Sequence, residues 1–358
     1  MSSTWGNNIK LSIFGGSHTG AIGVVLDNLP PNEKIDMDEV RVQMARRAPG
    51  KDKTATTRVE ADEPEILSGL LNGVTTGAPL AAVIQNTNTR SKDYSDLKIH
   101  PRPGHADYTA SVRYDGANDI RGGGHFSGRL TACLVFAGAV CRQILARRGV
   151  TIGAHAVKVG TAEDKPFDPV HISAAELNAL NTRFFSVQDP EAETAMRAEI
   201  ERARLEADSI GGVIECAVTG VPAGIGSPMF GGVENVLASV LYGIPAVKGV
   251  EFGAGFDVSE MRGSENNDPF YYDENGVVKT RTNHAGGILG GITTGMPILF
   301  RIAVKPTPSI GQPQQTVNLE EKHDDPLTIV GRHDPCIVPR AIPVAEAAAA
   351  IALLDLMR

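Results

Sequence analysis

"RGGGHFSGRLTACLVFAGAVCRQILARRG", residues 121–149, is the stretch on which the fold reading turns. Ser127 is a capping residue, Leu130, Leu134, Ala137 and Cys141 recur at helical spacing, and "ARRG" ends the run with cations before a glycine. The pattern predicts a buried helix over about Ser127–Arg148. Three glycines and a His-Phe-Ser corner stand in front of it, bracketed by Arg121 and Arg129. Either this is an ordinary turn, or the backbone is kept bare so that an anion can sit on it.

Working outward, "KLSIFG" and "IGVVLDNLP" predict short strands around a first glycine loop. "DMDEVRVQMARRAPG" predicts a short helix, capped by Asp36 or Asp38 and stopped by Pro49-Gly50. "PEILSGLLNGVTTGAPLAAVIQN" reads as strand, turn and strand, with Asn72-Gly73 as the turn. "PEAETAMRAEIERARLEAD" is a helix whose alternating acids and arginines make a solvated face. The alanine-rich "IPVAEAAAAIALLDLM" must be buried, in the core or against another subunit. Residues 160–190 carry least information and are read as a possible insertion in one large domain, 1–358. Strands and helices mix without a β-α-β rhythm, so the class is α+β.

The totals narrow the function. Glycine numbers 39, about 11% against roughly 7% in ordinary chains, and is clustered rather than repeated. A net charge of -8 argues against nucleic acid as partner. With no secretory leader and no unbroken apolar run of membrane length, a cytoplasmic protein without a membrane partner is expected. Cys133, Cys141, Cys216 and Cys336 form no C-x-x-C pair and read as buried thiols.

The familiar nucleotide and metal signatures fail. Ser127 and Ser17 stand where G-x-G-x-x-G needs glycine, Gly50-Lys51 lacks the upstream glycine of a phosphate loop, and H-E-x-x-H is absent. His100 and His105 have a poor metal spacing, so no metal is expected. Four loops nevertheless share one composition, glycine or proline with outward histidine or arginine. They are "GGSHTG" (His18), "RPGHADY" (Arg102, His105, Asp107), "RGGGHFSGR" (Arg121, His125, Arg129) and "VGRHDPC" (Arg332, His333, Asp334). Segment 41–58 adds Arg41, Arg46, Arg47, Lys51, Lys53 and Arg58. Singly, each is a turn or a solvated surface. Together they suit a small polyanion held by guanidinium forks and bare amides, with histidines as proton donors. "NHAGGILGGITTG" and "KPTPS" fit either a ring or phosphate site or plain strand-turn chemistry.

These words, with "LSGLLNGVTTGAPL", "NTNTRSKDYS", "GVPAGIGSP" and "GRHDPCIVPRAIPVAEA", run through nearly the whole chain in an order that resembles the chorismate synthase family. The resemblance implies anti-1,4-elimination of phosphate from 5-enolpyruvylshikimate 3-phosphate with reduced FMN, and no net redox change. It implies a helical core between antiparallel sheets, and a homotetramer. His18 resembles the histidine that protonates the departing phosphate, and His105 the one that serves the reduced flavin near N1. Asp334 resembles the carboxylate that relays the proton taken from substrate C6. Arg46, Arg47, Arg129 and Arg332 would clamp the substrate. FMN contacts map onto His125, Phe126, Ser127, Ala246, Gly290, Lys305, Pro306, Thr307, Pro308, Ser309 and Arg332. Arg47 and Lys53 stand where the family has been linked to NADPH, which would reduce the flavin unless a separate flavin reductase does so.

The sequence departs from the family's words in places. "GGGHFSGR" replaces the usual "GGGRSSAR", exchanging an arginine for His125, a serine for Phe126 and an alanine for Gly128. Gly16 stands for a glutamate, Thr19 for a glycine, Ala48 for an arginine and Lys53 for another. Two other readings compete: a flavin- or phosphate-binding module without catalysis, and a different flavoenzyme, such as a reductase, using the same site.

Overall fold

In a computed structural model, residues 3–50, 60–87, 97–329 and 334–358 are described. The first sheet is antiparallel, with β1 (Thr4–Trp5), β2 (Lys10–Gly15), β3 (Ala21–Asp27), β4 (Pro64–Ser68) and β7 (Leu80–Gln85) in the order β1-β2-β3-β7-β4. Between β4 and β7 the hairpin of β5 (Leu70–Leu71) and β6 (Val74–Thr75) turns at Asn72-Gly73, where φ is 51° and 76°. Two positive φ values make this the tight hairpin turn that Asn-Gly favours. Helix α1 (Met37–Arg47) follows β3, and the Asp36 carboxylate accepts from Asp38 N.

The helical layer is built on α3 (Thr131–Ala146) and α8 (Val338–Leu356), and the short α2 (Asp107–Arg113) precedes α3 in the chain. Ser127 caps a short 3-10 turn, Gly128–Leu130, that leads into α3. The run Gly128–Ala146 is long and apolar enough to cross a bilayer by composition, yet 89% of its window is buried inside the protein. The alanines of α8 serve a close crossing: a methyl carbon at Gly138 would lie 2.2 Å from Ala347 Cβ, so only glycine against alanine lets α3 approach α8 this closely. The C-terminal helix therefore packs into this chain's own core.

The second sheet covers the other side of that layer. It comprises β8 (Thr151–Val159), β9 (Ala162–Glu163), β10 (Gly212–Thr219), β11 (Val247–Phe252) and, after two hairpins, β16 (Ile298–Val304), in the antiparallel order β11-β16-β10-β8-β9. The hairpins are β12 (Phe270–Tyr272) with β13 (Val278–Thr280), and β14 (Ile288–Leu289) with β15 (Ile292–Thr293). β17 (Gln314–Asn318) and β18 (His323–Leu327) form a last one. One core joins both sheets and the helices, including α6 (Val233–Leu241). Residues 160–190 do not hang free. Phe167, Leu177 and Leu180, the last two on α4 (Ala174–Leu180), pack with Ala217 and Leu299 on the outer face of the second sheet. Helix α5 (Pro190–Leu205) buries Met196 and Ile200 and keeps its ion pairs, such as Arg197 with Glu193, outside; α7 (Gly263–Asn266) is one exposed turn.

An ionic row, buried at His155 and Glu215 and half-buried at Arg301 and Glu251, crosses the second sheet. Glu251, Arg301, Glu215 and His155 are register neighbours on β11, β16, β10 and β8. The His155 ring lies 2.9 Å from Asp164 through Nδ1 and 3.2 Å from Glu215 through Nε2, while Arg301 Nε donates to Glu215 (2.9 Å). Burial works against the charged imidazole, but the two carboxylates outweigh it and raise the His155 pKa above its ordinary value. Burial also works against Asp164 and Glu215, yet both are held below the usual carboxylate range, His155 being their leading partner. The raised histidine adds stability below about pH 6.5, lost as pH rises through its folded value. The carboxylates add theirs above about pH 4, lost as pH falls. His155→Phe is therefore expected to destabilise the fold by about 3–5 kcal/mol in denaturant titrations near pH 5.5, because it removes the cation shared by two buried carboxylates and leaves Asp164 with backbone N–H donors only. The gap from the unsubstituted protein should narrow above the folded His155 pKa, and a pH-independent gap would refute this account.

Candidate active site

The glycines of "RGGG" have a steric reason. Gly122, Gly123 and Gly124 have φ of 64°, 101° and 53°, a succession open to glycine and strained for other residues. A methyl carbon at Gly122 would stand 2.1 Å from the His18 ring, and one at Gly123 would stand 3.1 Å from His105 Nε2. One at Gly124 would stand 2.2 Å from Asp119 O. Neighbouring residues of one turn thus seat the two histidines of two other loops. Gly124 O also accepts from Ser17 N, tying "GGSH" to the turn.

Each histidine is oriented from behind. The Ser17 hydroxyl donates to Arg121 O (3.3 Å), so its oxygen is left to accept from His18 Nδ1 at 3.1 Å. His105 Nδ1 donates to Asp107 Oδ1 at 2.6 Å, which turns Nε2 toward Gly123. Asp107 is itself locked by Arg102 through Nε (2.7 Å) and Nη2 (2.8 Å). Burial alone would raise the Asp107 carboxyl; Arg102 and His105 together hold it well below the usual range, so it stays an acceptor.

Beside this turn lies a cavity of about 590 Å³, a size usual for small-molecule sites. His105, His125, Phe126, Ser127 and Arg129 line one side, Tyr242–Val247 the apolar floor, and Lys305, Thr307, Pro308 and Ser309 another. Arg47, Asp334 and Arg340 close it. "KPTPS" braces "RPGHADY": Lys305 Nζ donates to Gly104 O (2.5 Å) and Arg102 Nη1 to Ser309 Oγ (3.2 Å). Burial and the neighbouring Lys248 lower the Lys305 pKa. The lining carries Arg47, Arg102, Arg129, Lys305 and Arg340 against Glu60 and Asp334, an excess of positive charge suited to an anion.

Several expected residues lie elsewhere. His18 is not on the wall but directly behind Gly122. Arg46 faces away from the cavity: its guanidinium donates to Glu346 (2.5 and 3.1 Å) in the helical layer, so it is a core ion pair and not a substrate clamp. Pro306 turns toward Gly211. Gly290 sits in the β14–β15 turn, at the far end of α6 from the cavity, beside the Gly291 O that accepts from Val233 N. "NHAGG" is turn chemistry here, since Asn283 Nδ2 donates to Pro169 O and Pro297 O and its Oδ1 accepts from Gly287 N. His125 is tied to Gly15 O through Nδ1 (2.8 Å) and to Ser3 Oγ through Nε2 (2.7 Å). Arg332, His333, Lys51, Lys53, Arg58 and the "NTRSKDYS" words lie outside the described residues.

The structure adds residues not singled out from sequence. Asp62 is buried between Arg47 and Arg129. Arg340 Nη1 donates to Asp334 Oδ2 (2.5 Å) and its Nε to Arg47 O (3.0 Å), joining the start of α8 to the end of α1. Arg340 carried a usable signal, a lone cation in the apolar "IVPRAIPVAEA". Asp62 carried none.

Thr307 tests the fit of a flavin. Its hydroxyl oxygen is buried on the wall without a partner among the described residues, an orphan that a bound hydroxyl or phosphate would satisfy. With Phe126 and Pro308 for an apolar face and Lys305 for charge, the lining fits such a cofactor.

Gly122→Ala is expected to displace the His18 ring and lower turnover on the order of 10²-fold. Gly263→Ala, where no atom of the described residues lies within 4 Å of the added carbon, should leave it unchanged. Equal turnover in both variants would contradict the seating role of Gly122.

Residues 9–357 match the family model described as chorismate synthase. The chorismate synthase of Thermococcus kodakarensis is 45% identical over 98% of this chain and 96% of its own, and that of Methanothermobacter thermautotrophicus 46% over 98% and 93%. A crystal structure of chorismate synthase superposes with a TM-score of 0.75 at 26% identity, covering 99% of this chain and 92% of that one. The α+β fold and the carbon-oxygen lyase activity of the shikimate pathway, expected from the sequence, agree with these matches. The chain belongs to the chorismate synthase family.

Proposed function

We propose that this cavity eliminates phosphate from 5-enolpyruvylshikimate 3-phosphate with FMN as the reduced flavin, and that His18, His105 and Asp334 handle its protons. The observation that carries the reading is the pair of histidines seated on one triglycine turn beside an arginine-lined cavity. In the reaction a C–O bond to phosphate and a C–H bond at C6 break, a double bond forms, and chorismate and phosphate leave. Reduced flavin, when bound, supplies electron density to the allylic system as phosphate departs. His18, set behind Gly122 rather than on the cavity wall, holds a proton for a leaving phosphate bound at the triglycine turn, and its orientation by Ser17 supports the assignment. His105, fixed by Asp107, keeps Nε2 for a hydrogen bond on the cofactor side. Asp334 takes up the proton lost from C6; Arg340 beside it holds its oxygen in place. Arg47 and Arg129, with Arg332 outside the described residues, bind phosphate and carboxylates.

The finer assignments follow the same reading. Lys305, Thr307, Pro308 and Ser309 with His125, Phe126, Ser127 and Ala246 hold FMN, whereas Pro306 and Gly290 of one chain do not reach it. A homotetramer is supported by the exposed Met229, Phe230 and Leu289 at the far end of α6. The location is cytoplasmic. Arg47 and Lys53 are the residues tied to NADPH. Chorismate formation from oxidised FMN and NADPH alone would assign reduction to this chain, and its absence to a separate flavin reductase.

Turnover of His18→Ala and His105→Ala with chemically reduced FMN should fall on the order of 10²-fold or more, as for a lost proton donor. Near-normal chorismate formation in both variants would remove the assignment.

A further inference from the structure

Arg47 and Arg129 face the cavity with most of their donors already committed to protein. Arg47 donates through Nε to Thr131 Oγ1 (3.2 Å), through Nη1 to Asp62 Oδ2 (2.5 Å) and through Nη2 to Gly128 O (3.3 Å). Arg129 donates through Nε to Asn86 Oδ1 (3.0 Å), through Nη1 to Asp62 Oδ1, and through Nη2 to Gln85 O (3.2 Å). A guanidinium carries five N–H groups, so each keeps two for a ligand and has no freedom left to turn. Among the described residues, the one side chain common to both is Asp62, whose carboxylate is fully buried and absent from the cavity wall. Its backbone is held at φ 51°, a conformation uncommon outside glycine.

We propose that Asp62 is a positioning residue for substrate: one carboxylate behind the wall grips both arginines and aims their remaining N–H groups at the incoming anion. This rests on the reading of the cavity as the substrate site. Burial lowers the Arg47 pKa and Asp62 counters that; with the repulsion of Arg340 and Arg129 added, the guanidinium is brought down to about 10. The carboxylate therefore also keeps the Arg47 guanidinium charged and holds the two arginines together. Asn86 extends the grip, since its Nδ2 donates to Gly16 O and Thr19 O on either side of His18. Binding and the proton donor are thus coupled through one amide.

A simple counter-ion role and a positioning role predict opposite signs. Asp62→Asn makes the site one charge more positive, so a counter-ion alone would tighten anion binding. Positioning predicts weaker binding: KM for 5-enolpyruvylshikimate 3-phosphate rises on the order of tenfold with kcat changed far less. FMN binding, read by flavin fluorescence, should stay near that of the unsubstituted protein, which general unfolding would not permit. If Asp62→Asn does not fold, Asn86→Ala, which frees Arg129 Nε, must raise KM in the same direction. An unchanged or lowered KM in the folded variant overturns the proposal. A wild-type protein that releases no chorismate refutes the functional reading instead. Calorimetry with inorganic phosphate then decides on Asp62: weaker binding in the variant supports it, and equal or tighter binding overturns it.

Discussion

The contact between the main chain of residues 122–124 and two imidazole rings is the constraint on which the site depends. Side chains there would occupy the space of His18 and His105, and three successive positive φ values would strain them. The turn must also stand at a fixed place, which the 3-10 turn at Gly128–Leu130 and α3 provide. Helix α3 is fixed in turn by its close crossing with α8 at Gly138 and Ala347, between two antiparallel sheets. A sub-ångström requirement at the chemistry is thereby met by a rigid core, with loops used only where function demands bare backbone.

Much of this order was readable in advance because it is local. Asp36 as helix cap, Asn72-Gly73 as hairpin turn and the Ser127 start of the long helix follow from backbone chemistry that neighbours in sequence decide. The composition of the four loops suggested a polyanion site; three of them line the cavity and the fourth, carrying His18, packs behind Gly122. Arg46 and Arg47 show where such reading stops. Adjacent helix residues point about 100° apart, so one meets Glu346 in the core and the next the cavity, a difference no basic run displays. Asp62 reaches Arg129 and Arg340 reaches the Arg47 carbonyl across distant parts of the chain, and "NHAGG" is spent on holding Pro169 and Pro297. Such long-range pairings belong to the fold, and composition is silent on them.

The altered "GGGHFSGR" word has a structural account. Where the family's usual arginine would add a cation, His125 bonds to Gly15 O and Ser3 Oγ, joining the end of β2 to the triglycine turn. Phe126 adds apolar surface to the cavity and lies 6.2 Å from the Tyr114 ring. The exchange trades permanent charge for a brace and a ring face. Arg47, Arg102, Arg129, Lys305 and Arg340 still leave the lining rich in cations.

The direct measurement is anaerobic: 5-enolpyruvylshikimate 3-phosphate in excess, a catalytic amount of chemically reduced FMN, no NADPH, with chorismate absorbance and released phosphate followed together. The account predicts equimolar appearance of both through many turnovers, since the flavin is not consumed. Flavin that binds while neither product forms, or product limited to one equivalent of flavin, would contradict it.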